Sequence, residues 1–264
     1  MNRKVEAIVG FLKHRLSAKS KYRIHSPFVY DLYKNVLQNG HSYPQYRVVN
    51  RLRKELESVS RFIKRKDMGA RYKEFREDQR FVRVRDIARR SSVSQKKGEF
   101  LFRFVKKYNP SSILELGTSL GISTVYFGLA APQSQIITIE GCIDSAIVAN
   151  ENFDKAGLKN IHVITGTFEE KLAVALDEMP SPDLVFFDGN HKFKPTMAYF
   201  EKCLQHIHPD TVFIFDDIHW SAGMEEAWNL IRRHPKVKVC VDLYLMGIVF
   251  FKEELSKENF TLRF

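Results

Sequence analysis

Between Ser112 and Glu140 the chain reads as a strand, a tight turn, a helix and a second strand, and few folds accept that succession. The apolar run Ser112 to Leu116 passes through Gly117 and Gly121 and enters a helix-forming stretch from Ser123 to Ala131. Glycine permits positive φ and lets a ligand approach the backbone closely. The helix start leaves unpaired N–H groups aimed at the same place. Gln135 to Ile139 then reads as a strand ending in Glu140, where a nucleotide-binding βαβ unit holds a ribose diol. Ser119 stands where the middle glycine of a dinucleotide fingerprint would be, so close pyrophosphate approach is not favoured.

A chain of 264 residues has room for one α/β domain with an extension, or for two small domains, and 44% hydrophobic content supplies a core. Its net charge of +11 is unevenly spread. Residues 1–110 carry 29 Lys and Arg against 10 Asp and Glu, whereas residues 111–264 carry 13 against 21. The basic part could meet nucleic acid, an anionic surface or an acidic substrate, or dock on the acidic part of the chain. Cys142, Cys203 and Cys240 are odd in number and lack ligand spacing, which argues against a disulfide framework or zinc site and for a cytoplasmic setting.

The start of the chain is basic, but Val5, Ile8, Val9, Leu12 and Leu16 are spaced as a helix face, unlike a signal peptide. The longest apolar run, 243–251, is too short to span a bilayer. Residues 1–94 read as a basic, mainly helical and irregular extension. Within it, Ser26 caps a helix opening at Pro27 and stopping at Gly40. The basic run 61–66 reads as an exposed helix end in preference to a phosphate site. From 95 to 264 an α/β domain is expected, opening with a helix over 95–107. Strands at 161–165, 183–188 and 211–217 alternate with helices at 142–157, 169–179, 194–207 and 223–233. Two last strands, 237–243 and 248–252, are joined too closely for a helical crossover and must be antiparallel. The result is an α/β fold with a Rossmann-like parallel sheet, helices on both faces and an antiparallel last strand.

The string Glu115, Gly117 and Gly121 resembles the first motif of class I S-adenosylmethionine-dependent methyltransferases in their O-methyltransferase branch. The string His25 to Tyr30, with Asp67 to Ala70 and Val84 to Ala88, resembles a group of bacterial methyltransferase-like proteins. The resemblance implies a seven-stranded sheet of order 3-2-1-4-5-7-6 and S-adenosylmethionine as cofactor. It implies that Glu115 and Gly117 flank the methionine moiety with Thr118 and Gly121 in the same turn, and that Glu140 takes the ribose. Thr167 and Phe168 would border the adenine, although Phe168 could equally pack at its helix start. Strand ends carrying Gly117, Glu140, Asp188 and Asp216-Asp217 are expected to converge on one crevice.

The segment Asp188 to Lys192 with Tyr199 to Glu201 resembles metal-dependent O-methyltransferases, including catechol and sugar enzymes. This implies Asp188, Asp216 and Asp217 as ligands of Mg²⁺ or another hard divalent ion, with Asp188 also beside the cofactor. Some relatives carry Asp where Asn190 stands, and others carry Lys where His191 stands. His191 is therefore the expected general base, with Lys192 and His219 in reserve. His219 with Trp220 could equally be a packing pair.

The expected activity is O-methylation of a small hydroxylated acceptor, the basic extension covering the site. A nucleic-acid-modifying enzyme is the rival, weakened by the absence of an Asn/Asp-Pro-Pro-Tyr motif after the fourth strand. A non-catalytic cofactor-binding homologue is another. The sequence leaves homodimer formation open.

Overall fold

The structure is a computed structural model and describes residues 3–19, 21–65 and 80–264. Asp67 to Ala70, and Lys66 in the basic run, lie outside the described residues. In chain order the first elements are α1 (Arg3–Ser17), α2 (Pro27–Leu32), α3 (Gln45–Ser58), β1 (Phe62–Arg65), β2 (Arg80–Arg83), α4 (Val84–Ser91) and α5 (Gln95–Tyr108). There follow β3 (Ser112–Leu116), α6 (Ile122–Ala130), β4 (Gln135–Glu140), α7 (Ile143–Lys155), β5 (Ile161–Thr165) and α8 (Phe168–Glu178). The last are β6 (Leu184–Phe187), α9 (Phe193–Cys203), β7 (Val212–Asp216), α10 (Ala222–Ile231), β8 (Val239–Asp242), β9 (Met246–Phe250) and β10 (Glu258–Thr261).

The chain divides into two compact units, one of residues 38–180 and one of residues 1–37 with 181–264. The boundary expected at 94/95 falls inside the first of these. In that unit β3, β4 and β5 are parallel, with β4 in the middle, the 3-2-1 half of the expected order. Ile113, Leu114, Ile136 and Ile137 are fully buried, as β-branched and leucine-rich strands covered by helices must be. Phe100, Phe102, Phe104, Tyr126 and Phe127 of α5 and α6 supply the aromatic core. Gly98 is needed where α5 meets α6, because a side chain there would strike the Tyr126 ring.

In the other unit β6 pairs parallel with β7, β7 pairs antiparallel with β9, and β9 pairs antiparallel with β8, the 4-5-7-6 half. The hairpin over β8 and β9 is antiparallel as its short link requires. Phe187 and Phe215 stack at 4.3 Å within the core of this unit. Ser26 caps α2 by accepting the Val29 N–H, and a π-helical turn over Tyr33–Leu37 extends it.

Two features correct the sequence reading. Strand β10 pairs parallel with β8, so that among the described residues β3 to β10 number eight where seven were expected. Residues 62–65 and 80–83, read as part of a helical or irregular extension, form an antiparallel two-stranded ribbon.

Candidate functional site

The first constellation lies in the unit of residues 38–180. Leu116 ends β3, and the backbone turns through Gly117 (φ +111°), Ser119 (φ +49°) and Gly121 (φ +79°) before α6 begins. Gly121 has a second reason to be glycine: a Cβ there would lie 2.5 Å from the Phe153 ring. Both N–H groups of Gly117 and Thr118 reach the Ile139 carbonyl, so the turn is tied to the end of β4. Asn152, fully buried on α7, donates its amide to the Leu120 carbonyl at 2.8 Å.

Glu140 completes the arrangement. Its Oε2 accepts the Ser119 N–H at 2.7 Å and its Oε1 accepts the Cys142 N–H at 2.9 Å. A carboxylate has about four acceptor positions. Two backbone donors fix its orientation. The Ser119 Oγ is buried without a hydrogen-bond partner beside it.

Glu115 is fully buried and sits beneath the turn. It accepts hydroxyl hydrogens from Ser123 at 2.6 Å, Thr124 at 2.5 Å and Thr138 at 2.7 Å. Thr138 also meets the Thr118 hydroxyl at 2.6 Å. Burial pushes the Glu115 carboxyl up to about 6, against the three hydroxyls that favour its charged form. Its position makes it a support of the turn.

Gly166 (φ +141°) donates its N–H to the Glu140 carbonyl, bringing the end of β5 to the same rim. Thr167 caps α8 through a capping box with Glu170. Its hydroxyl accepts the Glu170 N–H, and Phe168 follows half-buried as the first helical residue.

The second constellation lies in the unit of residues 1–37 with 181–264. Asp188 follows β6, and its Oδ1 stands 3.6 Å from the His191 Nε2, both side chains about one-fifth exposed. Asn190 (φ +54°) makes the turn between them and donates to the Tyr199 hydroxyl at 3.2 Å. Lys192 is exposed at the N-cap of α9.

His219 lies elsewhere in its chemistry. Its Nε2 is 3.0 Å from Asp242 Oδ2, its Nδ1 is 3.9 Å from Glu225, and its ring stacks on Tyr244 at 5.1 Å. Asp242 also receives the Trp228 indole N–H, the Tyr244 backbone N–H and, at 3.0 Å, His14. Burial acts to raise the Asp242 carboxyl, but bonds from His14 and His219, the His219 charge and the Tyr244 N–H outweigh it and hold the group well below the usual carboxylate range. The sequence reading missed Asp242. Its one signal is a charged residue closing the apolar strand Val239 to Val241.

Among the described residues no group of three or more His, Cys, Asp or Glu side chains stands where it could hold a metal ion. Asp188 faces His191, Asp216 is buried at the end of β7, and the chain turns left-handed at Asp217 (φ +52°), whose N–H bonds the Leu245 carbonyl. Among the described residues Asp188, Asp216 and Asp217 form no such group. The three cysteines are buried and unpaired. Among the described residues no helix is long and apolar enough to cross a membrane.

Residues 114–218 match a methyltransferase domain family. The chain is 33% identical over 130 residues to a catechol O-methyltransferase of Niastella koreensis, covering 48% of this chain and 58% of that one. A catechol O-methyltransferase of Mycobacterium tuberculosis is 28% identical, with 51% and 60% covered. The chain thus spans about three-fifths of the length of these curated relatives. Among solved structures, an O-methyltransferase from Bacillus cereus in complex with SAH superposes with a TM-score of 0.55 at 20% identity, covering 84% of this chain and 97% of that one. A protein from Klebsiella pneumoniae described as a putative O-methyltransferase gives 0.56 at 20% identity, with 82% and 94% covered. The chain shares the fold of these two structures.

Proposed function

We propose that this chain is an S-adenosylmethionine-dependent methyltransferase acting on an oxygen of a small hydroxylated acceptor. The observation that carries the reading is the Glu140 carboxylate, clamped by the Ser119 and Cys142 N–H groups beside the Gly117–Gly121 turn. An acidic acceptor held at the tip of the second strand suits a ribose diol. When bound, the cofactor supplies a methyl group on positively charged sulfur, which the acceptor oxygen takes as the carbon–sulfur bond breaks.

The residues of the chain have two tasks, placement and proton removal. Placement dominates a direct displacement of this kind. Glu115 and its three hydroxyl partners hold the turn from below, while Asn152 holds it from the side. Gly117, Thr118 and Gly121 line the methionine end, and Thr167 and Phe168 the adenine end.

For proton removal His191 is the base. Asp188 Oδ1 stands 3.6 Å from its Nε2, a carboxylate placed to favour the ring once it has taken a proton. His219 has its ring nitrogens facing Asp242 and Glu225, and Lys192 is solvent-exposed, so both rank behind His191. The similarity to catechol O-methyltransferases supports a hydroxylated aromatic acceptor. The test is release of S-adenosylhomocysteine from the full chain on a panel of catechols and other small hydroxylated compounds. Turnover on at least one member is expected; cofactor binding without turnover on any would point to a non-catalytic homologue.

A further inference from the structure

The ribbon of β1 and β2 has two unlike faces. In its register Phe62 stands opposite Arg83 and Lys64 opposite Phe81, while Ile63 stands opposite Val82. Side chains alternate across a strand, so Phe62, Lys64, Phe81 and Arg83 share one face. That face is open: Phe62 is 53% and Phe81 70% exposed, whereas Ile63 on the other face is 4% exposed. Ring and cation alternate across it like the squares of a board, and the Arg83 guanidinium lies 5.0 Å from the Phe62 ring centre.

The ribbon is fixed where it stands. The Lys64 N–H donates to Asp144 at 2.7 Å, Cys142 Sγ donates to the Lys64 carbonyl, and Arg61 makes a two-pronged bond with Glu151. These anchors use backbone and Arg61, leaving the Phe62–Lys64–Phe81–Arg83 face outward. The surrounding chain is strongly basic, since residues 38–65 and 80–110 carry 17 Lys and Arg against 4 Asp and Glu. The proposed small-acceptor activity has no use for either feature.

We infer that this face of the β1–β2 ribbon binds single-stranded polynucleotide, the Phe62 and Phe81 rings stacking on bases and Lys64 and Arg83 meeting phosphates. Exposed aromatic rings interleaved with cations are the parts such binding needs, because every base offers a π-face and every linkage a charge. An anionic bilayer is the weaker match. It would be met by aliphatic side chains as well, and the ribbon's own, Ile63 and Val82, occupy the opposite face, leaving Ile143 and Ile147 of α7 as the exposed aliphatics nearby.

The test is fluorescence anisotropy of the full chain with a labelled, mixed-sequence single-stranded RNA of about 20 nucleotides, long enough to fill one binding groove. The same titration uses single-stranded DNA, duplex DNA, and vesicles with and without anionic lipid. Binding to the single strands is expected, falling steeply between about 50 and 200 mM salt. F81L, which keeps an apolar side chain at an exposed position, should weaken it roughly tenfold with the salt slope unchanged. K64Q with R83Q should lower the slope by about one to two. Unaltered circular dichroism and melting of each variant separate lost binding from lost folding. No binding at low salt, equal binding by F81L, or a preference for vesicles or duplex would each overturn the inference. None of these readouts depends on methyl transfer.

Discussion

Glu140 accepts the Ser119 N–H at 2.7 Å across 21 positions of sequence, joining the tip of β4 to the turn that leaves β3. The bond explains how Ser119 is held at φ +49°, a conformation that non-glycine residues seldom adopt without support. A single carboxylate thus shapes the turn and ties it to the end of β4.

Glu115 should make stability depend on pH in a defined window. Its carboxyl titrates near 6 in the folded chain against 4.5 when unfolded, so its favourable contribution is fully present below 4.5 and lost as pH rises through 6. The difference amounts to about 2 kcal/mol. E115Q, which cannot ionise, should remove that loss. Urea unfolding of both proteins at pH values on either side of the window measures it, and parallel pH profiles would show that Glu115 is not perturbed.

Asp242 carries the opposite sign. Its carboxyl is held low in the folded state, so its stabilisation is present above the ordinary carboxylate range and fades as pH falls through the depressed folded value. D242A leaves His14, His219, Trp228 and the Tyr244 N–H without their shared acceptor. A loss of about 3–5 kcal/mol at neutral pH is expected. Denaturant midpoints test it, and a loss under about 1 kcal/mol would mean that the four donors find other partners.

Gly121 answers to two constraints at once, positive φ and the nearby Phe153 ring. G121A should destabilise the chain by roughly 1–3 kcal/mol and distort the turn enough to weaken cofactor binding. Thermal melting and cofactor titration, measured together, would show both effects. A variant as stable and as tight as the parent would contradict the description of this turn.

His191 separates chemistry from binding. H191A should lower kcat roughly 100- to 10,000-fold while leaving cofactor affinity within about twofold. If kcat hardly changes, proton removal belongs to another group, and H219A and K192A are the next variants to measure.

The strand–turn–helix–strand of residues 112–140 was legible because its elements are long, apolar and punctuated by glycine, and the hairpin of β8 and β9 because a four-residue link admits one geometry. Strand β10 was not, since Glu258 and Asn259 are exposed and give no alternation to read. The β1–β2 ribbon escaped for a related reason: two four-residue strands separated by 14 residues within a run of charge resemble a solvated segment. Gly117, Gly121 and Glu140 of the candidate site stand out in the sequence by their spacing. Asp242 and its partner His14 lie 228 positions apart, a pairing that no local pattern carries.

The most direct measurement is a calorimetric titration of S-adenosylhomocysteine into the full chain and into E140A, with E140Q as a variant of similar shape. Micromolar-range binding by the parent is expected, weakened roughly 10- to 100-fold in E140A by loss of charge-assisted hydrogen bonds. No heat of binding in the parent at saturating ligand, or equal affinity in E140A, would contradict the account at its root.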